Sequence, residues 1–239
     1  MVTDINSNYT SPAGKEFTLA AGRLCGLNPA SHVLDIGCGY GEGACNLASE
    51  FRCKIKAVDI SEENLEFARQ LSIERQVSHL IQFSQRDILT ADYSEENLDL
   101  IMAEGGALSF FGRARGMSLI HDWLPSRGWF AFSDLILLSD DTPAEILSIF
   151  EHQKYAYETE DSYRKMIQEN GFAPHLMCLV PPSGWDNYYA HMARRLEDTK
   201  GFFADKNIKL AFHKEIDVFY RMHAFQYVGY LFAVIRKKT

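Results

Sequence analysis

The chain has 239 residues, a length that suits one domain of generous size. Its 24 basic and 32 acidic side chains give a net charge of −8, which argues against binding to nucleic acid or to an anionic membrane surface. Hydrophobic residues make up 46% of the chain and charged residues 23%, and these values argue against a disordered or fibrous protein.

The sequence also lacks the signals of membrane insertion and secretion. No apolar run approaches the roughly 18 residues that indicate a membrane span. Residues 1–17 contain an early acid and no apolar core of a signal peptide. The five cysteines include no Cys-x-x-Cys pair, so the sequence predicts neither a disulfide framework nor a metal site. We therefore expect a cytoplasmic protein without a bound metal.

Predicted strands and helices alternate along most of the chain. A short helix is predicted over 12–27, a strand over 32–37 and a helix over 41–51. Further strands are predicted at 54–59, 80–87, 98–106, 129–138, 175–180 and 227–237. This alternation is typical of an α/β fold with a mostly parallel sheet that is covered by helices on both faces.

Two sequence signals mark predicted helix starts. Ser61 is a candidate N-cap that is followed at once by acidic residues. Thr142 and Glu145 have the spacing of a capping box, with Pro143 at the first helical position. The alternation breaks at residues 183–224, which hold two predicted helices and many aromatic side chains.

The sharpest motif is a glycine-rich loop between the first predicted strand and its helix. Gly37, Gly39 and Gly41 alternate with other residues there. The first glycine permits a tight turn, the second lets a ligand approach bare backbone, and the third lets the helix begin close to the sheet. Such a loop binds nucleotides in many proteins, although a glycine pattern of this kind also occurs in plain tight turns.

Acidic residues at the ends of the next two predicted strands support a nucleotide site. Asp59 ends the second strand, where a carboxylate accepts hydrogen bonds from ribose hydroxyls. Asp87 ends the third, where a carboxylate reaches an adenine amine. Because open α/β sheets bind ligands at the carboxyl ends of their strands, we expect these acids and the glycine loop to share one cleft.

These motifs together resemble those of class I S-adenosylmethionine-dependent methyltransferases. Residues 35–41, Asp-Ile-Gly-Cys-Gly-Tyr-Gly, match the first motif of that superfamily. Residues 85–88 resemble its adenine motif, and residues 169–172, Glu-Asn-Gly-Phe, its Glu-x-Gly-Phe turn. Residues 124–129 resemble its Leu-x-Pro-Gly-Gly turn, with Ser-Arg in place of the usual residues. The resemblance covers about residues 30–182 and the last strand.

The resemblance implies a Rossmann-like sheet of seven strands whose last strand is antiparallel. It implies a single methyltransferase domain over 1–239, with an N-terminal helical lid at 1–28 and a helical cap at 183–224. Residues 11–18 and 185–189 resemble a bacterial branch of small-molecule enzymes related to the ubiquinone and menaquinone methyltransferases.

The resemblance also assigns the ligand contacts. S-adenosyl-L-methionine is the implied methyl donor, and S-adenosyl-L-homocysteine is its product. The implied cofactor contacts are Asp35, Gly37, Cys38, Gly39, Gly41, Asp59, Ile60, Asp87, Ile88 and Glu104.

No catalytic base is certain from the sequence, and methyl transfer to some acceptors needs none. Glu104 follows the fourth predicted strand and is a candidate base or cofactor contact. The alternative is an acid at a helix start that touches no ligand. His191, in the predicted cap, is the second candidate. Asparagine or aspartate followed by two prolines marks enzymes that methylate DNA or amides, and the sequence around Glu104 lacks that pattern.

Aromatic residues are the candidates for contact with the methyl acceptor. Trp185, Tyr188 and Tyr189 have the spacing of one helix face, and Tyr9 precedes the first helix, where it could close over the cofactor. The plainer interpretation is that these side chains pack the cap onto the sheet. An arsenite-binding set of cysteines is disfavoured, because no three of the five cysteines are predicted to face the cleft.

The sequence therefore predicts transfer of a methyl group to a small, uncharged or anionic organic molecule. The alternative is a non-catalytic or regulatory protein of the same fold that binds S-adenosylmethionine. A nicotinamide oxidoreductase would need a hydride-transfer arrangement that the sequence does not show, and a capped pocket fits a protein substrate poorly. No nucleic-acid or membrane partner is expected, and a homodimer is possible through the aromatic cap.

Overall fold

The computed structural model describes residues 9–150, 157–197 and 205–239, and eight strands in these residues form one sheet. The strands are β1 (His32–Ile36), β2 (Lys54–Asp59), β3 (Ile81–Gln85), β4 (Leu100–Ala103), β5 (Trp129–Leu137), β6 (Glu158–Thr159), β7 (Phe172–Leu179) and β8 (Val228–Lys237). The predicted strands are all present, and the two-residue β6, which the sequence did not reveal, pairs with β5.

The strand order confirms the predicted fold class. Seven strands run in the order β3-β2-β1-β4-β5-β8-β7. Strands β1 to β5 pair in parallel, and β8 runs antiparallel to both β5 and β7. The order reverses direction at β1, which places a topological switch point, and hence a ligand crevice, at the carboxyl ends of β1 and β4.

Helices fill the intervals between the strands. They are α1 (Gly14–Leu24), α2 (Glu42–Phe51), α3 (Glu62–Glu74), α4 (Ala107–Phe110), α5 (Arg113–Trp123), α6 (Ala144–Ile149), α7 (Glu160–Glu169), α8 (Pro182–Arg195) and α9 (Lys206–Arg221). Neighbouring strand residues such as Val33 and Leu34 belong to different hydrophobic clusters. Each face of the sheet therefore carries its own core, as the alternation of side chains along a strand requires.

The helix starts agree with one predicted cap and contradict the other. The Ser61 side chain accepts a hydrogen bond from the Asn64 backbone, so the N-cap of α3 is confirmed. The capping box predicted at Thr142 is wrong, because the Thr142 hydroxyl donates to the Ser139 carbonyl and Pro143 occupies the N-cap position of α6 without a side-chain cap. A true capping box begins α7 instead.

The predicted lid and cap contact one another. A Cβ atom added to Gly184 on α8 would lie 2.5 Å from the Pro12 carbonyl oxygen, so the two backbones approach closely. Residues 1–8 of the predicted lid and 198–204 of the predicted cap lie outside the described residues. The division into lid, domain and cap stays a prediction.

A buried ion pair ties α5 and α7 to β5. Arg113 Nε donates to Asp134 Oδ2 and to the Tyr163 hydroxyl, each at 2.7 Å, and the Tyr163 hydroxyl also donates to Asp134. The Asp134 side chain is fully buried. A buried pair of this kind adds little net stability, because the cost of removing the charges from water offsets their attraction.

Arg127, in the turn before β5, holds a left-handed backbone conformation with φ of 66°. Such a conformation costs a residue with a side chain about 1–2 kcal/mol, part of which glycine recovers. We expect Arg127→Gly to raise the free energy of unfolding by about 0.5–1 kcal/mol, measured by urea denaturation. Arg127→Ala keeps the strain and serves as the control, and equal stability of the two variants would contradict the prediction.

No helix in the described part of the chain is long and apolar enough to cross a membrane.

Candidate active site

The glycine loop forms the floor of a cleft at the carboxyl ends of β1 and β4. Residues of the loop, Asp35, Glu42, Glu104 and residues 9–11 line this cleft. A Cβ atom on Gly39 would meet nothing within 4 Å, so the backbone there is open to a ligand. A Cβ atom on Gly41, in contrast, would lie 2.7 Å from the Ala68 side chain, so Gly41 lets α2 begin against α3.

The Asp59 side chain is hydrogen-bonded to the glycine loop. Its Oδ2 atom accepts a hydrogen bond from the Gly39 N–H at 2.8 Å. Its Oδ1 atom accepts from the Ser61 N–H at 2.9 Å and from the Asn64 side chain at 3.3 Å. The carboxylate predicted to bind ribose is therefore also a hub that fixes the ligand-facing backbone of Gly39.

Three further residues predicted to contact the cofactor differ in their exposure. Ile60 is 71% exposed beside Asp59, which leaves its apolar side chain available to a ligand. Asp87 is exposed and accepts a hydrogen bond from the Leu89 N–H at 2.9 Å, while Ile88 is buried in the core. The structure brings Asp59 and Ile60 to the loop, and the adenine contacts of Asp87 and Ile88 stay predictions.

Two buried carboxyl groups flank Gly43 at the base of the cleft. A Cβ atom on Gly43 would lie 3.5 Å from Glu104 Oε2 and 3.6 Å from Asp35 Oδ2. Burial is the main cause that raises the pKa of Glu104 to about 8 and the pKa of Asp35 to about 7; Asp35 also raises the pKa of Glu104, and Asp59 that of Asp35. At the base of the cleft, these two carboxyl groups are therefore either ionised and negatively charged or protonated and neutral.

A line of hydrogen bonds reaches Glu104 from the N-terminal segment. The Tyr9 hydroxyl donates to Thr18 Oγ1 at 2.9 Å, and Thr18 Oγ1 donates to Glu104 Oε2 at 2.8 Å. Glu104 Oε1 is buried, and it has no hydrogen-bond partner among the described residues. Tyr9 therefore lies at the cleft, and its contact with a ligand stays a prediction.

The sequence did not predict roles for Thr18 or Asn46. Asn46 Nδ2 donates to the Tyr9 hydroxyl at 3.0 Å, and Arg75 donates to Asn46 Oδ1 at 3.0 Å. Both Thr18 and Asn46 are buried, and Asn46 lies one helical turn after the buried Glu42 on the same face of α2. The only signal in the sequence was a polar residue among the apolar residues of a helix, and buried polar groups need hydrogen-bond partners.

A second contact joins the glycine loop to the cap. Arg195, on α8, donates to the Tyr40 hydroxyl at 2.9 Å and lies 4.5 Å from the centre of the Tyr40 ring. Tyr40 lines the cleft, so the cap rests on the ligand-binding loop. The sequence did not single out either residue for this contact.

The predicted substrate residues on α8 lie in an aromatic cluster. Trp185, Tyr188 and Tyr189 are 3%, 8% and 1% exposed and share one helix face, as their spacing predicted. Trp185 packs against Phe219 at 4.9 Å and Tyr230 at 5.6 Å between ring centres. None of the three lines the cleft beside the glycine loop, and neither does His191, which is also buried on α8. Their contact with a substrate stays a prediction.

The cysteines in the described residues do not form a metal-binding group. No cluster of three or more metal-ligating side chains occurs in residues 9–150, 157–197 and 205–239. Cys38 lines the cleft, and burial raises the pKa of its thiol well above the ordinary value, so the group stays protonated at neutral pH.

The raised pKa of Glu104 makes stability depend on pH. The native pKa of about 8 exceeds the ordinary value of 4.5, so the native state binds the proton more tightly. The stability that this tighter proton binding contributes is fully present below pH 4.5 and is lost as pH rises through 8. We expect Glu104→Gln to reduce the fall in unfolding free energy between pH 5 and pH 8.5 by a few kcal/mol, at about 1.4 kcal/mol per pKa unit. Denaturant titrations of both proteins at the two pH values test this, and parallel curves would contradict it.

Comparisons with known proteins point to one family. A family model described as a methyltransferase domain matches residues 27–177. Sarcosine/dimethylglycine N-methyltransferase of Halorhodospira halochloris is 31% identical over 148 residues, which cover 61% of this chain and 53% of that protein. Phosphoethanolamine N-methyltransferase 1 of Triticum aestivum is 27% identical over 82% of this chain and 39% of that protein. The chain thus spans about half or less of the length of these relatives.

A solved structure matches nearly the whole chain. It is a SAM-dependent methyltransferase from Thiobacillus denitrificans in complex with S-adenosyl-L-homocysteine, with a TM-score of 0.80, 18% identity, and coverage of 99% of this chain and 96% of that one. At this identity the match concerns the fold. The closer resemblance to the ubiquinone and menaquinone branch stays a prediction.

Proposed function

Because the chain belongs to the family of class I S-adenosylmethionine-dependent methyltransferases, we propose that it transfers a methyl group from S-adenosylmethionine to the nitrogen of a small amine. The loop of residues 37–41 and Asp59 would hold the nucleoside, since Gly39 is open to a ligand and the Asp59 carboxylate faces it. The bound donor supplies an activated methyl group on a sulfonium centre.

The observation that carries the amine proposal is the buried Oε1 atom of Glu104. When Glu104 is ionised, a buried carboxylate oxygen without a partner among the described residues is costly unless a ligand supplies a donor. Asp35 lies beside it, so the site favours a donor that carries positive charge. The sulfonium centre of the methyl donor supplies positive charge but no hydrogen-bond donor, whereas an ammonium group supplies both. The proposal departs from the uncharged or anionic acceptor that the sequence had predicted.

The relatives support an amine acceptor. Their names specify N-methylation of sarcosine, dimethylglycine or phosphoethanolamine. Each of these molecules joins an amine to an acidic group. We therefore propose an acceptor of the same chemical class, with the amine at Glu104.

Glu104 would act on the acceptor in two ways. An ammonium group has no lone pair, so it must lose a proton before its nitrogen attacks the methyl carbon. The pKa of the Glu104 carboxyl group is raised to about 8. When ionised, its Oε1 atom is placed to accept that proton and to orient the nitrogen. Tyr9, which contacts Thr18, lines the cleft and would help exclude water from it.

The test has two steps. Calorimetric titration with S-adenosylmethionine and S-adenosylhomocysteine should show micromolar binding of both, about −8 kcal/mol. Homocysteine-based detection of product should then show turnover with members of a panel of primary to tertiary amines, with phenols and thiols as controls. Turnover with the controls alone would refute the amine proposal. Binding without any turnover would favour a non-catalytic S-adenosylmethionine-binding protein, and no binding by folded protein would refute both.

A further inference from the structure

We propose that Thr18 is a positioning residue and that a one-way series of hydrogen bonds, from Arg75 through Asn46, Tyr9 and Thr18, fixes which oxygen of Glu104 acts on the ligand. This inference rests on the proposed function for its catalytic consequence, but its structural part concerns the protein alone.

The direction of the series follows from its first member. An arginine side chain only donates, so Asn46 must present Oδ1 to Arg75. The NH₂ group of Asn46, which only donates, then faces the Tyr9 hydroxyl. The Tyr9 oxygen accepts that bond, and its single proton is directed to Thr18.

Thr18 passes the same direction to Glu104. Its oxygen already accepts from Tyr9, so its own proton is the one that reaches Glu104 Oε2 at 2.8 Å. The Gly14 carbonyl is a more distant alternative at 3.4 Å. Because Oε2 accepts a donated proton, a proton carried by Glu104 itself resides on Oε1. The series therefore gives the two Glu104 oxygens different roles. Oε2 is held by the Thr18 hydrogen bond, and Oε1 exchanges protons with the ligand.

Arg75 is itself held in place. It donates to Glu42 at 2.8 Å, and the Glu42 side chain is 5% exposed. The series therefore begins at a partly buried ion pair between α2 and the residue after α3, and it ends at the residue after β4. Such a series remains intact only if each member keeps its donor and acceptor.

The groups around Glu104 determine whether its pKa rises or falls when the Thr18 hydroxyl is removed. Burial raises the pKa of Glu104, the hydrogen bond from Thr18 on α1 lowers it, and Asp35 on β1 raises it further. Tyr9, in the N-terminal segment, is a neutral phenol whose pKa burial raises well above its ordinary value. Loss of the Thr18 hydroxyl therefore moves the pKa of Glu104 upward.

The first experiment needs no substrate. Carbon-13 NMR of the side-chain carboxyl groups in the unliganded protein, assigned with Glu104→Gln, gives the titration of Glu104. We expect Thr18→Val to raise its pKa by about half a unit or more, and Thr18→Ser, which restores the hydroxyl, to return it to the wild-type value. Thr18→Ala lacks the hydroxyl without adding bulk and replaces the valine variant if that one does not fold.

An unchanged titration of Glu104 in folded Thr18→Val or Thr18→Ala would overturn the proposal. A shift that Thr18→Ser fails to reverse would do the same, because it would reflect packing rather than the hydrogen bond.

The second experiment applies once an acceptor is known. The acid limb of the kcat profile should move to higher pH in Thr18→Val and not in Thr18→Ser, with a smaller change in KM. A shifted NMR titration together with an unshifted kcat profile would overturn the catalytic consequence. If the wild-type protein shows no turnover, the proposed function fails, while the NMR result still decides the structural part.

Discussion

Replacing Glu104 with glutamine is expected to lower kcat for an amine acceptor by about 100-fold or more, the usual contribution of a general base. Glutamine keeps the size of the side chain and still accepts the bond from Thr18, but it cannot take a proton at the position of Oε1. Affinity for S-adenosylhomocysteine should change much less than kcat.

Steady-state kinetics across pH 6–9, with calorimetry for the cofactor product, measure this effect. Glu50→Gln is the matched control, because Glu50 is an exposed acid that pairs with Arg23 at the surface. The role assigned to Glu104 is wrong if Glu104→Gln retains wild-type kcat with an ammonium-bearing acceptor. Loss of cofactor binding with kcat intact at saturation would instead make Glu104 a cofactor contact.

The second large effect is expected at Asp59. Asp59→Ala should weaken S-adenosylmethionine binding by about 100-fold, because ribose loses its acceptor and Gly39 loses the bond that orients the loop. The variant should also lose stability, since the Ser61 and Gly39 N–H groups lose their partner. We expect a loss of about 2 kcal/mol in unfolding stability.

Asp59→Asn separates the two effects. It keeps one acceptor oxygen for the local backbone and removes the charge. We expect it to restore part of the stability and little of the cofactor affinity, as measured by denaturation and calorimetry at a temperature where all variants are folded. Wild-type affinity in Asp59→Asn would show that the carboxylate charge is not needed for binding.

The fold was largely predictable because it depends on local patterns. The loop of residues 35–41 joins a strand to a helix, and Asp59 ends the next strand, so the motif and its surroundings were readable together. The antiparallel direction of the last strand came from the family resemblance. Strand ends were less certain, since β4 ends at Ala103 where a strand over 98–106 was predicted.

The contents of the cleft were only partly predictable. Glu104 was identified from its place after β4, but its partner Thr18 lies 86 residues away in sequence. The spacing of Trp185, Tyr188 and Tyr189 correctly predicted a shared helix face. That spacing carries no information on what the face meets, and in the structure it meets α9 and β8.

The buried cluster of Arg113, Asp134 and Tyr163 limits the routes by which this sequence can change. Substituting Arg113 or Asp134 alone leaves a charge in the core without its counterion, at a cost of roughly 3–5 kcal/mol. Replacing both charges together with apolar side chains of similar volume can be nearly neutral only if Tyr163, whose buried hydroxyl would lose both partners, becomes apolar as well. Related sequences can therefore lose the cluster only by several substitutions together. The exposed pair of Arg23 and Glu50 can instead be substituted one residue at a time with little loss of stability.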